Sequence, residues 1–307
     1  MRVFQPSAGL DTGQIGNIQR YLDAVRSNLL FAKSVVLVEG DAEEILIPIL
    51  VKKVFGLSLD ELGISLINIR STGFENVAVL FHDDRIRKRC AIITDLDRAF
   101  FDTTEDMHDN DDEAAAKKKA LASQAAGLRR EAALKLLCRD NPWLTVHFAD
   151  HTFEVDFVSA GKAGTIVSVL GDVYKDAATI ATSKAELESG DIALFGTRVL
   201  TMARNTGKGW FAIILGRMIT PETVIPDYIL DAIFEVHIPV SSQTWASVLD
   251  YRLSIIAASQ LHASANIAAM RAQIDRYRRD EIDFAGIRAE MLRAFPADGI
   301  NAILASF

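Results

Sequence analysis

The chain has only two cysteines, Cys90 and Cys138, among its 307 residues. Two thiols are too few for a disulfide framework or for a zinc site built from cysteines. The histidines do not supply a zinc site either, because no H-E-x-x-H or similar spacing joins His82, His108, His147 and His151. The scarcity of cysteine predicts a protein of the reducing cytoplasm.

Long apolar runs are also missing. The longest, from Ile45 to Val51, falls far short of the roughly 18 residues that a membrane span requires. The N-terminal residues MRVFQPSAGLDTG lack the basic-then-apolar layout of a signal peptide. We therefore expect a cytoplasmic protein that does not enter a membrane.

A basic surplus is absent, since the formal net charge is −8. Tight nucleic-acid binders usually carry excess positive charge, because the release of phosphate counterions drives their binding. An acidic total fits better with a carboxylate-rich metal site, or with a module whose basic surface belongs to another part of a larger protein. It does not exclude a local basic patch.

The first half of the chain contains a repeated strand-helix pattern. Three runs rich in apolar residues each end at a turn signal, and two helix-like segments separate them. Asp41 is a predicted N-cap, completed by Glu44 as a capping box, for a helix that Pro48 should bend. This alternation predicts an α/β fold with a parallel sheet flanked by helices. The expected strands are SVVLVEG, SLINIRSTG and RKRCAIITDLD, and the expected helices are EEILIPILVKKVF and FENVAVLFHDDRI.

The pattern changes after Asp97. An acidic segment, residues 101–113, reads as a solvated loop, and the helix-favouring run that follows ends at Cys138. Alternation then returns in WLTVHFADHTFEVDF, which predicts a fourth strand, and helical signals dominate the remainder. We predict a leading helix in residues 1–31, a sheet domain with helical insertions in residues 32–220 and an additional helical region in residues 221–307.

Four carboxylates follow two of the predicted strands. Glu39 ends the first strand, Glu43 lies in the first turn of the next helix, and Asp95 and Asp97 end the third strand. Ligands of open parallel sheets bind beyond the carboxyl ends of the strands, so these side chains should converge. Because like charges repel, such a group calls for cations, and hard divalent ions suit oxygen ligands. The sequence thus predicts a divalent-metal site.

The same residues carry a family resemblance. VEGDAEE followed by ITDLD resembles the TOPRIM domain of topoisomerases, primases and certain nucleases, which has a glutamate after its first strand and a D-x-D after its third. FAKSVVLVEGDAEEILIP, STGFENV with Gly73, HTFEVDF with Glu154 and GKGWFA with Lys208 are similar to the C-terminal half of OLD-family (overcoming lysogenisation defect) nucleases. The resemblance covers roughly residues 19–218.

The resemblance implies a Rossmann-like TOPRIM fold and a metal-dependent endonuclease that hydrolyses or nicks DNA. Two ions, Mg²⁺ or Mn²⁺, would be held by two carboxylate sets, with Lys208 neutralising charge on the phosphate. Sequence alone leaves open whether Glu154 or Asp156 reaches the metal, although the motif favours Glu154. One set comprises Glu39, Asp95 and Asp97, and the other comprises Glu43 and Glu154, with Asp95 also a candidate bridge.

The resemblance also implies partners. OLD nucleases pair this region with an N-terminal ABC-type ATPase, whereas TGKGW does not match G-x-x-x-x-G-K-[ST] because Gly209 follows the lysine. We therefore expect this chain to lack its ATPase domain. DNA is the expected substrate, and a second copy of the chain is a further candidate partner.

Three other functions compete with this hypothesis. A TOPRIM scaffold that binds DNA or organises a dimer without catalysis would use metal only structurally. A haloacid-dehalogenase-like phosphatase shares the D-x-D motif but places it on its first strand, with a different following sequence. A topoisomerase or primase is disfavoured, because neither a tyrosine-bearing cleavage domain nor a zinc-binding segment is recognisable.

One basic cluster lies outside the motifs. It could meet a nucleic-acid backbone, or it could form an exposed helix face balanced by neighbouring acids. The cluster comprises Arg271, Arg276, Arg278 and Arg279.

Overall fold

The computed structural model describes residues 9–13, 15, 32–70, 73–161, 163–237, 239–259 and 264–306. The predicted leading helix falls almost entirely outside these residues. Among the helices that are described, none is both long and apolar enough to cross a membrane.

A parallel four-stranded sheet forms the centre of the fold, in the order β2-β1-β3-β4. All three predicted strands of the first half are present, and the fourth is shorter than expected. The strands are β1 (Ser34–Val38), β2 (Ile64–Asn68), β3 (Cys90–Asp95) and β4 (Leu144–Ala149).

The central strands are apolar on both faces, as a parallel sheet covered by helices requires. On β1, Val36 and Val38 join the larger apolar core, while Val35 and Leu37 face a smaller core on the other side. All five residues of β1 are buried. The α/β fold class predicted from the sequence is therefore confirmed.

Helices cover both faces of the sheet and continue to the end of the described chain. In the first half these are α1 (Asp41–Phe55), α2 (Phe74–Ala78), α3 (Asp111–Cys138) and α4 (Phe153–Gly161). Then follow α5 (Gly164–Val167), α6 (Leu170–Val173), α7 (Ala177–Leu187), α8 (Ile192–Thr206) and α9 (Lys208–Gly216). The last are α10 (Asp227–Val236), α11 (Ser242–Ala258), α12 (Ser264–Arg278), α13 (Phe284–Ala294) and α14 (Ile300–Ser306).

The predicted cap of α1 was wrong. Gly40, not Asp41, is the N-cap, and no side chain caps the helix there. Asp41 and Glu44 instead both accept hydrogen bonds from Asn68 Nδ2, at 3.0 and 2.9 Å. These bonds tie the start of α1 to the end of β2, because one amide can serve two acceptors at once. The helix continues through Pro48 to Phe55.

Two predicted elements were too long. The helix expected over FENVAVLFHDDRI ends at Ala78, where the chain enters turns closed by a bridge between Phe81 and Ile86. The strand expected over WLTVHFADHTFEVDF ends at Ala149, and residues from Phe153 onward form α4. A short apolar run does not distinguish a buried strand from a buried helix, which explains this second error.

Helices beyond residue 221 pack into the same core as the sheet. α10 lies against β1, β3 and β4, and α12 connects α11 to α13. The larger apolar cluster includes Val36 of β1, Ile229 of α10 and Leu304 of α14. The division into domains at residues 31 and 220 remains a prediction.

Candidate active site

Beyond the carboxyl ends of β1 and β3 the structure contains a cavity of about 250 Å³. All six side chains singled out in the sequence line it, and Arg130 adds a charged side chain that the sequence reasoning missed. Its charged lining comprises Glu39, Glu43, Asp95, Asp97, Arg130, Glu154 and Lys208.

The first pair of carboxylates is positioned by the β1–α1 junction. Glu39 follows the last residue of β1, and Glu43 lies buried in the first turn of α1. Glu43 folds back over Gly40, where an added Cβ would meet the Glu43 carboxylate oxygen at 2.2 Å. A glycine at position 40 is therefore needed for this conformation of Glu43.

The second pair is positioned by the end of β3. Asp95 is the last strand residue, and Asp97 follows with a φ of 52°, an uncommon conformation for a residue other than glycine. Backbone hydrogen bonds to the end of β4 and to the residues after it hold this turn, because Leu96 N–H donates to Ala149 O at 2.9 Å and Asp97 N–H to His151 O at 3.1 Å.

Glu154 enters the cavity from a helix rather than from a strand. It lies in the first turn of α4 and is buried, with 4% of its surface exposed. Asp156, two residues later, lines a neighbouring cavity instead and accepts a hydrogen bond from His151 N–H at 3.2 Å. A spacing of two puts residues on one face of a strand but on different faces of a helix.

Lys208 stands opposite Glu154, at the first position of α9. Its Nζ lies 3.2 Å from Oε1 of Glu154 and donates a hydrogen bond to Oε2 at 3.4 Å. Oε1 is buried without a hydrogen-bond partner in the described residues. The lysine side chain is 55% exposed, so its charged end can reach both the cavity and solvent.

Arg130 lies across the cavity, near the middle of α3. Its Nη2 donates to Asp97 Oδ2 at 3.0 Å and also to the backbone oxygen of Asp95. α3 reaches this turn through Gly127, where an added Cβ would meet Leu96 O at 1.9 Å. One sequence signal could have indicated that α3 packs closely against this turn. It is a glycine, Gly127, inside a helix-favouring segment that continues to Arg129 and Arg130.

Crowding of negative charge alters the titration of the cluster. Burial, with the nearby charges of Glu154 and Glu39, raises the pKa of Glu43 to about 7. Burial, with the charges of Glu43, Asp97 and Glu154, raises the pKa of Asp95 well above its usual range. Burial acts to lower the pKa of Lys208, but its carboxylate neighbours, led by Glu154, outweigh this and raise it.

A divalent cation fits this donor set in its chemistry. The carboxylates are hard oxygen ligands, they repel one another as they stand, and Glu154 offers a buried oxygen without a hydrogen-bond donor. Within the described residues, no group of three or more His, Cys, Asp or Glu side chains is arranged to hold a metal ion without adjustment. In this arrangement two carboxylates form ion pairs with the protein itself, Asp97 with Arg130 and Glu154 with Lys208.

Other candidates from the sequence, His151 and three arginines of the basic cluster, are engaged in structural contacts. His151 Nδ1 lies 2.8 Å from Arg98 O and outside the cavity lining. Three members of the basic cluster pair with acids, Arg276 and Arg279 with Glu281, and Arg278 with Asp250 and Asp275. These pairs correspond to the balanced helix face that was one of the two readings of that cluster.

Residues 30–97 match a family model described as the TOPRIM domain of proteins like the overcoming lysogenization defect protein. This part of the chain is therefore similar to an OLD-like TOPRIM domain. This match includes the β1–α1 junction with Glu39 and Glu43, and the D-x-D turn after β3. TOPRIM domains in general bind divalent metal ions.

Solved structures of OLD proteins are similar to this chain. The C-terminal region of the Burkholderia pseudomallei OLD protein is 26% identical, with 67% of this chain and 97% of that chain covered and a TM-score of 0.49. The C-terminal region of the Xanthomonas campestris pv. campestris OLD protein is 21% identical, with 73% and 97% covered and a TM-score of 0.47. No match was found among curated proteins.

Proposed function

We propose that this chain is a metal-dependent endonuclease that hydrolyses DNA phosphodiesters with two divalent ions, Mg²⁺ or Mn²⁺. The observation that carries the proposal is the convergence of five carboxylates and one lysine on a single cavity at the edge of the sheet. Their side chains come from β3, α1, α4, α9 and the residues that follow β1 and β3, so the arrangement is a product of the tertiary fold.

The carboxylates divide into two sets on the walls of the cavity. Glu39, Asp95 and Asp97 would hold one ion, and Glu43 and Glu154 would help hold the other, with Asp95 as a candidate bridge. Bound there, divalent ions supply an activated water and stabilise the leaving oxygen of a phosphodiester. The raised pKa of Glu43 and of Asp95, caused first by burial and then by neighbouring carboxylates, supports this assignment, because a bound cation would stabilise the charged forms of both groups.

Lys208 would neutralise charge that develops on the phosphate. Its contact with Glu154 holds the ammonium group at the cavity, and its exposure leaves it accessible to a substrate. A positive charge placed beforehand at such a position stabilises the transition state more than the ground state. We also propose an ABC-type ATPase domain as the partner of this region in a full-length cytoplasmic protein, with a second copy of the chain as a further partner.

A plasmid-nicking assay tests the proposal. Supercoiled plasmid is incubated with the protein in Mg²⁺, Mn²⁺, Ca²⁺ or EDTA, and we expect cleavage with Mg²⁺ or Mn²⁺ that EDTA abolishes. Asp95→Asn and Glu39→Gln, which keep side-chain size, should each lower the rate at least about 100-fold, since an ion contributes several kcal/mol to transition-state stability.

Asp112→Asn is the matched control, because Asp112 is exposed in the first turn of α3, away from the cavity. Its rate should equal that of the unmodified chain. Metal-dependent cleavage that survives both active-site substitutions would show that these carboxylates are not the site. If the protein binds DNA but does not cleave it, the non-catalytic scaffold is favoured. The ion pairs of Asp97 with Arg130 and of Glu154 with Lys208 are compatible with that alternative.

A further inference from the structure

Arg130 is the one charged residue of the cavity that neither the motifs nor the proposed reaction accounts for. A single nitrogen, Nη2, donates both to the Asp97 carboxylate and to the backbone oxygen of Asp95. The two contacts together span the D-x-D turn, from the last residue of β3 to the residue after Leu96.

The helix that carries Arg130 is docked at this turn by close contact. Gly127 lies directly against Leu96, with no room for a side chain, and Gln124 Oε1 accepts a hydrogen bond from Ala99 N–H at 3.0 Å. Elsewhere α3 is largely exposed, since its buried residues are Gly127 and Leu134. The middle of α3 therefore fixes the position of Arg130 relative to the turn.

The turn itself needs support from two sides. Asp97 adopts a left-handed backbone conformation, which costs of order 1 kcal/mol or more for a residue with a side chain and persists only when its surroundings impose it. Backbone bonds to the end of β4 and to the residues after it hold one side. Arg130 holds the other, and it also orients the Asp97 carboxylate through one oxygen, Oδ2.

Two effects of Arg130 on a bound cation oppose each other. Its contact with Asp97 competes with a metal, but the two side chains are 27% and 31% exposed, and an ion pair of that kind is worth at most about a factor of five. Orientation of a ligand by its hydrogen-bond partner is typically worth about 10- to 100-fold in metal affinity. By these magnitudes orientation is the larger effect. Arg130 contacts only Oδ2 of the Asp97 carboxylate.

We propose that Arg130 is a positioning residue that fixes the D-x-D turn and the Asp97 carboxylate for binding of a divalent ion. The proposal rests on the proposed metal-dependent function, since it assigns Asp97 to a metal. It concerns affinity for the ion itself and can be measured without DNA.

Calorimetric titration with Mn²⁺ tests it on the whole chain. Arg130→Met should weaken Mn²⁺ binding by about 10-fold or more, and Arg130→Lys, which retains one donor nitrogen, should weaken it less. Arg129→Met is the matched control, since Arg129 is exposed on the same helix, and its affinity should be unchanged. Thermal melting without metal checks that each variant is folded.

In the nicking assay, the Arg130 variants should need more Mn²⁺ for half-maximal rate while approaching the normal rate at saturation. Mn²⁺ affinity of Arg130→Met equal to that of Arg129→Met, or tighter, would overturn the positioning role and leave the proposed nuclease intact. An Arg130 effect on Mn²⁺ binding in a protein that does not cleave would support the positioning role and reject the nuclease. A chain that binds no Mn²⁺ would reject both.

Discussion

At the scale of single residues, the fold brings the carboxylates of the cavity close together although their negative charges repel one another. Burial, with the charges of neighbouring carboxylates, raises the pKa of Glu43 from the ordinary glutamate value of 4.5 to about 7. Between these two values the unfolded chain has lost the proton that the folded chain keeps. The contribution of Glu43 to folded stability without metal should therefore fall by up to about 3 kcal/mol as pH rises from about 4.5 to 7.

We predict that Glu43→Gln raises the melting temperature of the metal-free protein at pH 8, because the substitution removes a buried charge and its repulsion from Glu154. At pH 5, where Glu43 keeps its proton, the same substitution should have little effect. Glu105→Gln, at an exposed position, is the control and should change neither melting curve. A lower melting temperature at pH 8 would contradict the charge repulsion inferred here.

The carboxylates could be placed from the sequence because each one is tied to a strand end or to the helix after it. Glu39 and Asp95 follow from the sheet alone, since the carboxyl ends of parallel strands meet at one edge. Glu154 could be placed only by its motif. The prediction that it lies on a strand was wrong, because Phe153–Gly161 form a helix. Arg130 could not be placed, since its contact with Asp97 joins residues 33 positions apart.

At the scale of elements, the approach of α3 to the D-x-D turn depends on a missing side chain. We predict that Gly127→Ala destabilises the protein by about 1–3 kcal/mol. Alanine favours a helix by about 1 kcal/mol over glycine, but its Cβ would lie 1.9 Å from Leu96 O, which is backbone and cannot move aside cheaply. Denaturant unfolding gives the change in free energy, and Mn²⁺ affinity should fall with it as Arg130 is displaced.

Gly171→Ala is the matched control for this substitution. Gly171 also lies in a helix, and an added Cβ there would meet nothing within 4 Å. Its substitution should be neutral or slightly stabilising. If Gly127→Ala were equally well tolerated, α3 would not be held against Leu96 as the structure indicates.

Apolar runs predicted the central strands well, and they failed where a turn interrupts them. β1 and β3 are covered on both faces, so an unbroken apolar run identifies them. The apolar residues after Ala78 continue the helical spacing, yet backbone bonds from Leu80 and Phe81 N–H to Val77 and Ala78 O close turns there. Burial of Leu80 and Phe81 in the smaller core, rather than helix formation, accounts for their apolar character.

At the scale of the whole molecule, the core does not stop at the predicted boundary at residue 220. α10 covers the sheet, and one apolar cluster extends from β1 to α14. Within residues 221–307 a buried ion pair joins α11 to the segment before α14, because Arg252 Nε donates to Asp298 Oδ1 at 2.7 Å, and Arg252 Nη1 donates to Pro221 O at 2.9 Å. We expect from this packing that the sheet and the helices after it unfold together.

Arg252→Met tests this expectation. The substitution leaves Asp298, a largely buried carboxylate, without its ion-pair partner, and such a loss costs about 3–5 kcal/mol. In a calorimetric melt we expect one transition, shifted to lower temperature, with the sheet and the terminal helices lost at the same point. Arg293→Met is the control, because Arg293 pairs with Glu290 while 75% exposed, and its effect should stay below about 1 kcal/mol. Two separate transitions, with only one moved by Arg252→Met, would instead establish residues 221–307 as an independent unit despite the shared core.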